Sequence, residues 1–298
     1  MKPLVHQDSS GFVPLPDGDV VITSGPLGGL GDILIYSTLA ERFAQMGRRV
    51  YIDEDNTARS KEVLDLVWGA NPHIIGTCKL KPNAGYVRQG LFYEIANRYP
   101  LGSIEAMERA HGLPPPYGLA PKLYYAPKPF HIDLSNTILV DFSAVSSSIG
   151  TEGILDAIRF ARGKFRNAPM LQVFFKSHVA TEPPRIAMDS YQVQSLREYI
   201  DMIAAARGWI GSEAGGQALA SAVRQADVYD LGARPEVLVT ACPPTFNSRG
   251  YTFRTNDYRV TSHGDIPGDY FDPTEVKQYV YELRSRMETD KHLRDEPA

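Results

Sequence analysis

The sequence predicts an α/β protein of two parallel-sheet domains that face each other across a cleft. Three observations support this class. The chain has 298 residues, a length that suits two domains of ordinary size. Strand-like and helix-like segments alternate over residues 20–125 and again from Thr137 onward, and such alternation is typical of parallel sheets. The proline-rich residues 112–135 separate the two series and are interpreted as an interdomain linker.

Three strands and three helices are predicted in the first half of the chain. The strands cover residues 19–24, 48–53 and 73–77, and the helices cover residues 32–46, 57–69 and 104–111. Within the first helix, Leu39, Phe43 and Met46 have the spacing of an apolar stripe that packs on a sheet. Residues 1–130 are assigned to the first domain.

The second half of the chain follows a similar plan. Strands are predicted at residues 137–142, 170–175, 185–188, 208–211 and 227–231, and helices at residues 151–162, 194–206, 217–224 and 273–288. Residues 131–270 are assigned to the second domain, and residues 271–298 to a terminal helical segment. Because ligands bind at the carboxyl ends of parallel strands, the cleft between the two sheets is the expected site.

Composition and charge narrow the functional class. Apolar residues make up 43% and charged residues 22% of the chain, as in a globular protein with a core. The formal net charge of −4 argues against a broad surface for nucleic acid, although it allows a local basic patch. The cysteines Cys78 and Cys242 stand far apart, which fits a reduced, cytoplasmic compartment. No signal peptide and no transmembrane segment is predicted, and peripheral contact with a membrane stays open.

The first candidate site is the turn Gly28-Gly29-Leu30-Gly31-Asp32, which joins the first strand to the first helix. Glycines at such a junction let a backbone approach an anion or a nucleotide. Asp32, expected to be exposed at the helix start, could act as a general base that takes a proton from an attacking hydroxyl. The alternative is that Asp32 caps the helix and that the glycines only tighten the turn.

A second junction of the same kind lies in the other half, Gly211-Ser212-Glu213-Ala214-Gly215-Gly216-Gln217. The free backbone N–H groups at the start of the following helix could hold a diphosphate, and Glu213 could accept hydrogen bonds from sugar hydroxyls. Its likeness to the first junction favours this interpretation. The alternative is that Glu213 only favours the helix dipole and that the glycines allow close packing.

Three further segments carry polar side chains that could contact a ligand. The loop 143–151, with Ser146 and Ser147 at its centre, could hold a phosphate or be an ordinary capped loop. Lys176 ends a predicted strand and could neutralise a leaving diphosphate, or it is a solvated strand end. The tyrosine-rich span 86–125 could line an acceptor pocket, or it is an ordinary packed surface.

Asp53 gives a competing interpretation of the first half. It ends the second strand about 20 residues after the glycine turn, where dinucleotide-binding domains place an acid on the ribose. A nicotinamide-dependent oxidoreductase is therefore the second hypothesis. Gly25, Gly28 and Gly31, however, have the spacing G-x-x-G-x-x-G rather than G-x-G-x-x-G. Metal binding by Asp53-Glu54-Asp55 is the less favoured interpretation of the same residues.

Several of these segments together resemble one family. The stretch Gly28 to Leu34 is similar to the "S-x-L-G-D-hydrophobic" opening of the heptosyltransferase-like glycosyltransferases of family 9. Residues 41–52 resemble the helix and strand that follow it, and residues 67–74 resemble the family's "N-P-x-hydrophobic" segment. Residues 196–219 resemble its aliphatic helix and "G-x-D-T-G-x-x-H-L" donor motif. The order and spacing of these motifs over residues 20–235 carry the likeness.

The resemblance implies the GT-B fold, in which two Rossmann-like domains face each other and the terminal helix packs back on the first. It also implies that Asp32 is the catalytic base or a carboxylate that orients the acceptor, and that Glu213, Gly215 and Gly216 hold the donor sugar and diphosphate. The leading hypothesis is an inverting, metal-independent glycosyltransferase that uses a UDP- or ADP-linked sugar and no cofactor. On the acceptor side it places Gly28, Gly29, Gly31 and Arg88, and on the donor side Ser146, Ser147, Lys176, Glu213, Ala214, Gly215, Gly216 and Gln217.

Three positions depart from the family's donor motif. Glu213 stands where the family usually has Asp, Ala214 where it has Thr, and Ala218 where it has His. The donor sugar is therefore open, and a non-catalytic module that binds nucleotide sugars is the third hypothesis. The acceptor is expected to be a hydroxyl of a saccharide, such as a lipopolysaccharide core sugar, or of a modified DNA base.

Overall fold

The computed structural model describes residues 19–22, 28–54, 58, 60–78, 102–143, 151–166, 168–175, 188–225, 236–241, 253 and 256–260. Among the helices in these ranges, none combines the length and the apolar character needed to cross a lipid bilayer.

The first half contains short strands and helices in strict alternation up to β3. In chain order they are β1 (Val20–Ile22), α1 (Leu30–Gln45), β2 (Val50–Asp53), α2 (Lys61–Leu64, continued by a π-helical turn, Asp65–Gly69), β3 (Ile74–Cys78) and α3 (Ser103–Ala110). Helix α2 begins later than predicted because Ser60 caps it. The Ser60 hydroxyl accepts a hydrogen bond from the Val63 backbone N–H at 3.2 Å.

The second half alternates in part, since the described residues show no helix between β5 and β6 or between β8 and β9. Its elements are β4 (Ile138–Asp141), α4 (Thr151–Phe165), β5 (Met170–Phe175), β6 (Asp189–Val193), α5 (Leu196–Ala205), β7 (Gly208–Ser212), α6 (Gly215–Gln225), β8 (Glu236–Ala241) and β9 (Asp257–Val260). Strand β6 begins at Asp189, after the span 185–188 predicted for it, and neither β8 nor β9 was predicted. The strand predicted at 227–231 and the helix predicted at 273–288 lie outside the described residues.

The strands form two parallel sheets. The first has the order β1-β2-β3 and the second the order β6-β5-β4-β7-β8-β9. Each pairing in the described part of both sheets is parallel. The α/β class with parallel sheets is therefore confirmed. In the second sheet the chain runs outward from β4 to β6 and then returns to β7 on the other side of β4, which creates a switch point between β4 and β7.

The proline-rich residues 112–135, named the strap from here on, contain no helix or strand, as predicted. The strap is nevertheless packed against the protein. Its Gly118 N–H donates a hydrogen bond to Glu108 of α3 at 2.8 Å, and its Tyr124 hydroxyl donates to Glu41 of α1 at 2.9 Å. Its Lys128 N–H donates to Asp201 of α5 at 2.8 Å. The strap thus connects helices of both halves.

One hydrophobic core extends across both halves of the described chain. Buried side chains of α1 and α3 belong to the same cluster as those of α5 and α6, and α1 packs directly on α6. A second, smaller cluster fills the space between α4 and the opposite face of the six-stranded sheet. Helices therefore cover both faces of this sheet, and α1 of the first half packs on one of them, α6.

Candidate functional site

The first glycine-rich junction places a carboxylate inside the first turn of α1. Gly29 is the N-cap, with an extended backbone (φ −71°, ψ 146°), and its carbonyl accepts a hydrogen bond from Ile33 N–H at 3.0 Å. Asp32 is the third residue of the helix and is only 7% exposed. The expectations that Asp32 is exposed or caps the helix are therefore wrong. Its carboxylate lies instead where the helix dipole favours negative charge.

The second junction begins at the end of β7 and leads into α6. Glu213 is 6% exposed and Gln217 is fully buried, whereas Ala214, Gly215 and Gly216 are partly exposed. The surface that a ligand can reach is therefore mostly backbone at the helix start. A ligand would reach the Gln217 side chain only after the surrounding residues moved.

Packing explains why two positions of this junction are glycine. A Cβ at Gly211 would collide with the main-chain oxygen of Asp141 and would lie 2.6 Å from the Trp209 ring. A Cβ at Gly216 would collide with the Asp141 carboxylate. The interpretation that these glycines allow close packing is thus supported by the structure.

The two junctions meet each other. A Cβ at Gly215, the first residue of α6, would lie 3.0 Å from the Cβ of Leu30, the first residue of α1. The amino-terminal ends of both helices therefore converge, and each carries partial positive charge. Asp32 and Glu213 both lie within three residues of this contact. The contact also lies beside the switch point between β4 and β7, where open parallel sheets bind ligands.

A buried hydrogen-bond network lies behind the first turn of α6. The Trp209 indole N–H donates to the Tyr199 hydroxyl (2.6 Å), which donates to Asp141 Oδ2 (2.5 Å), and Ser143 N–H donates to Asp141 Oδ1 (2.9 Å). Burial raises the pKa of Asp141, and the hydrogen bonds from Tyr199 and Ser143 oppose that rise. Asp141, Tyr199 and Trp209 are named the Asp141 network.

The sequence analysis missed this network. The signal available was an acidic residue that ends an otherwise apolar strand, Ile138 to Asp141, because a carboxylate in such a place must be hydrogen-bonded if it is buried. Ser212, the last residue of β7, was also missed as a polar group of the junction. Its hydroxyl is buried and has no hydrogen-bond partner among the described residues, which is uncommon for a buried polar atom.

The remaining predicted site residues are placed as follows. Gly28, Gly29 and Gly31 are buried or nearly so at the start of α1. The tyrosine-rich span is described only in part; there, the Tyr125 hydroxyl donates to Asp201 at 3.2 Å, which fits a packed surface. The residues that lie outside the described part of the chain are Arg88, Ser146, Ser147 and Lys176.

Two solved structures share this fold. The crystal structure of TibC, a dodecameric iron-containing heptosyltransferase, in complex with ADP-D-β-D-heptose is matched over 97% of this chain and 78% of that chain, with a TM-score of 0.53 and 17% identity. The structure of the iron-containing dodecameric glycosyltransferase TibC from enterotoxigenic E. coli H10407 is matched over 94% and 80%, with a TM-score of 0.52 and 18% identity. No protein-family model and no curated protein sequence matches the chain.

These likenesses show a common fold. TibC contains iron, whereas the described residues of this chain include no group of three or more His, Cys, Asp or Glu side chains arranged to hold a metal ion. The shared fold carries no residue role from TibC to this chain, so the function must be argued from the junctions themselves.

Proposed function

We propose that this protein is a glycosyltransferase, similar to the heptosyltransferases of family 9, that transfers a sugar from a nucleotide diphosphate donor to a hydroxyl acceptor. The observation that carries the proposal is the convergence of two helix N-termini, with Asp32 and Glu213 beside them, at a switch point of the parallel sheet. In the GT-B arrangement, residues 1–130 bind the acceptor and residues 131–270 bind the donor.

The donor is held by the start of α6. A diphosphate is strongly anionic, and a helix N-terminus attracts an anionic group by about 0.3–1 kcal/mol at an exposed site and more where water is excluded. The start of α1 adds a second such end, because Leu30 and Gly215 are neighbours. This attraction supports departure of the diphosphate without a metal ion. Glu213 accepts hydrogen bonds from the sugar, and Ser212 lies one residue before it.

Asp32 acts as the general base. It lies two residues after Leu30, about 3 Å further along the helix axis, and so close to the start of α6. The acceptor oxygen attacks the anomeric carbon, the bond from that carbon to the diphosphate breaks, and the diphosphate leaves with the electron pair. The hydroxyl proton passes to the Asp32 carboxylate. Attack on the face opposite the leaving group inverts the anomeric centre.

The substrates are proposed by class. The TibC complex contains ADP-D-β-D-heptose, so an ADP-linked sugar is the first donor to test, and UDP-linked sugars follow. The acceptor hydroxyl belongs to a saccharide such as a lipopolysaccharide core sugar, or to a modified DNA base. The protein works in the cytoplasm, with contact to a membrane surface if the acceptor is lipid-linked.

The proposal is tested with a panel of ligands read by thermal shift and calorimetry. Purified protein is titrated with ADP-, UDP- and GDP-linked sugars, with the free nucleoside diphosphates and with NADH. We expect a nucleotide sugar to stabilise the protein, and NADH to have no effect. Binding of NADH alone would favour the oxidoreductase hypothesis, and binding of a nucleotide sugar without hydrolysis or transfer would favour a non-catalytic module.

A further inference from the structure

We propose that the Asp141 network positions the first turn of α6 for the donor diphosphate, an inference that rests on the proposed function. The three side chains come from three different elements: Asp141 ends β4, Tyr199 belongs to α5 and Trp209 belongs to β7. None of them is exposed, so none can contact the sugar. They act through the backbone of α6 and are positioning residues.

All three side chains converge on one point of that backbone, Gly216. A Cβ at Gly216 would collide with Asp141 Oδ2 and would lie 3.3 Å from the Tyr199 hydroxyl and 3.4 Å from Trp209 Cζ2. The second residue of α6 therefore rests directly on the network. Because the first turn cannot move inward against these atoms, its N–H groups keep a fixed direction towards the site.

Apolar side chains would fill this space at a lower cost in free energy than a buried carboxylate, because a carboxylate must be desolvated and fully hydrogen-bonded. The network meets that requirement with a relay from Trp209 through Tyr199 to Asp141 and with a further donor, Ser143 N–H. Satisfied buried polar networks fix one arrangement of the elements that they join. Here the joined elements are β4, α5 and β7, on either side of the switch point.

Electrostatics agree with a supporting role. A charged carboxylate so near the turn would repel a bound diphosphate. Burial raises the pKa of Asp141. At a given pH a larger fraction of this carboxyl group is therefore protonated than in an exposed Asp, and its repulsion of an anion is reduced to that extent.

The test compares two hydroxyl deletions, Tyr199→Phe and Tyr191→Phe. Both remove a hydroxyl that donates to a carboxylate: that of Tyr199 to Asp141 at 2.5 Å, and that of Tyr191 to Glu198 at 2.7 Å. Tyr191 lies in the same half but outside the network. For Tyr199→Phe we expect the Kd and the KM of the nucleotide sugar to rise about 10-fold, the scale of buried groups left without a partner, with kcat within about threefold of wild type.

The outcomes separate the two proposals. If Tyr191→Phe leaves the donor Kd unchanged and Tyr199→Phe raises it, the positioning role is supported. If both variants leave it unchanged, or if Tyr199→Phe lowers kcat alone, the inference fails while the proposed function stands. If the wild-type protein binds no nucleotide sugar of the panel, the proposed function fails and the inference falls with it.

A second measurement covers the case in which Tyr199→Phe does not fold. The chain contains two tryptophans, and Trp68 Nε1 has no hydrogen-bond partner within the described ranges, so Trp68→Phe leaves Trp209 as the single indole without breaking a bond. Because Trp209 belongs to the network, donor binding should change its emission. Emission that stays constant while calorimetry records donor binding would overturn the positioning role.

Discussion

The two glycine-rich junctions that meet at Leu30 and Gly215 have similar sequences but different support. At the first, the helix dipole favours a carboxylate placed inside the first turn, Asp32, and α1 is buried over most of its length. At the second, the turn rests on a buried polar network, and Gly216 is required because Asp141 occupies the space of a side chain. The first junction thus places a carboxylate, Asp32, near the site. At the second, the buried Asp141 network supports the first turn of α6.

This difference teaches that a glycine-rich helix start is not by itself evidence of a ligand. Gly211 and Gly216 would be needed for packing alone, whatever the protein binds. What points to chemistry is the place where the junctions meet, with two helix N-termini and two nearly buried carboxylates at a sheet switch point. The comparison therefore predicts that changes at the first junction affect the reaction, whereas changes at the second affect stability and donor affinity.

The largest effect is expected for Asp32→Asn. Removing a positioned general base should lower kcat by at least about 100-fold, while the melting temperature and the donor Kd stay close to those of the wild type. Steady-state rates and calorimetry measure both quantities. Glu213→Gln is the matched change at the second junction, and we expect it to raise the donor KM more than it lowers kcat. Near-full turnover in Asp32→Asn would remove Asp32 from the mechanism and end the contrast between the junctions.

The next largest effect is expected for Gly216→Ala. The new Cβ would overlap the Asp141 carboxylate, and overpacking of this kind costs about 1–3 kcal/mol of unfolding free energy. Urea denaturation measures the loss, and donor titration should show weaker binding.

Gly163→Ala is the control for that change. Gly163 lies on the exposed side of α4, and its Cβ would have no neighbour within 4 Å. Replacing a helical Gly by Ala there should stabilise the protein by about 0.5–1 kcal/mol. If Gly216→Ala were also stabilising, the turn would not rest on the Asp141 network.

The pH dependence of stability sharpens the account of the second junction. Burial raises the pKa of Asp141 in the folded state, so folding favours the protonated carboxyl. The resulting contribution of Asp141 to the free energy of unfolding is fully present below its pKa in the unfolded chain, about 3.9. It is lost as the pH rises through the pKa of Asp141 in the folded protein. The unfolding free energy of wild type minus that of Asp141→Asn should therefore decrease from about pH 4 towards neutrality. Urea titrations of both proteins at several pH values test this, and a constant or increasing difference would contradict it.

The sequence predicted much of the fold because hydrophobic periodicity marks buried elements well. The second sheet illustrates both the success and its limit. Residues 170–175 were predicted as a strand and form β5. Strand β9, Asp257–Val260, was missed because it is short, alternates charged with uncharged side chains and lacks an apolar run. Its place at the sheet edge is set by pairing with β8, a tertiary contact that periodicity does not reveal.

The candidate site was predicted in part, and for a physical reason. Sequence patterns located both junctions, but residue type could not decide whether Asp32 caps α1 or acts as a base. Sequence patterns also could not reveal the Asp141 network. Tyr199, which donates to Asp141, and Trp209, which donates to Tyr199, are distant from Asp141 in sequence and reach it only through the crossover from β6 to β7. Ala218, where the family has His, lies fully buried in the core shared with α1, so a small side chain fits the packing there.

The smallest effect is expected where the strap joins α5, the helix that packs beside α6. Tyr125 and Lys128 of the strap both hydrogen-bond Asp201 of α5, through the hydroxyl and the backbone N–H. Tyr125→Phe removes one of these bonds at a partly exposed position and should cost no more than about 1 kcal/mol. Asp201→Ala removes both and should cost more. Because the halves share one core, urea should still unfold each variant in a single transition, with a lowered midpoint. Two separate transitions in either variant would mean that the strap, and not the contact of α1 with α6, holds the two junctions together.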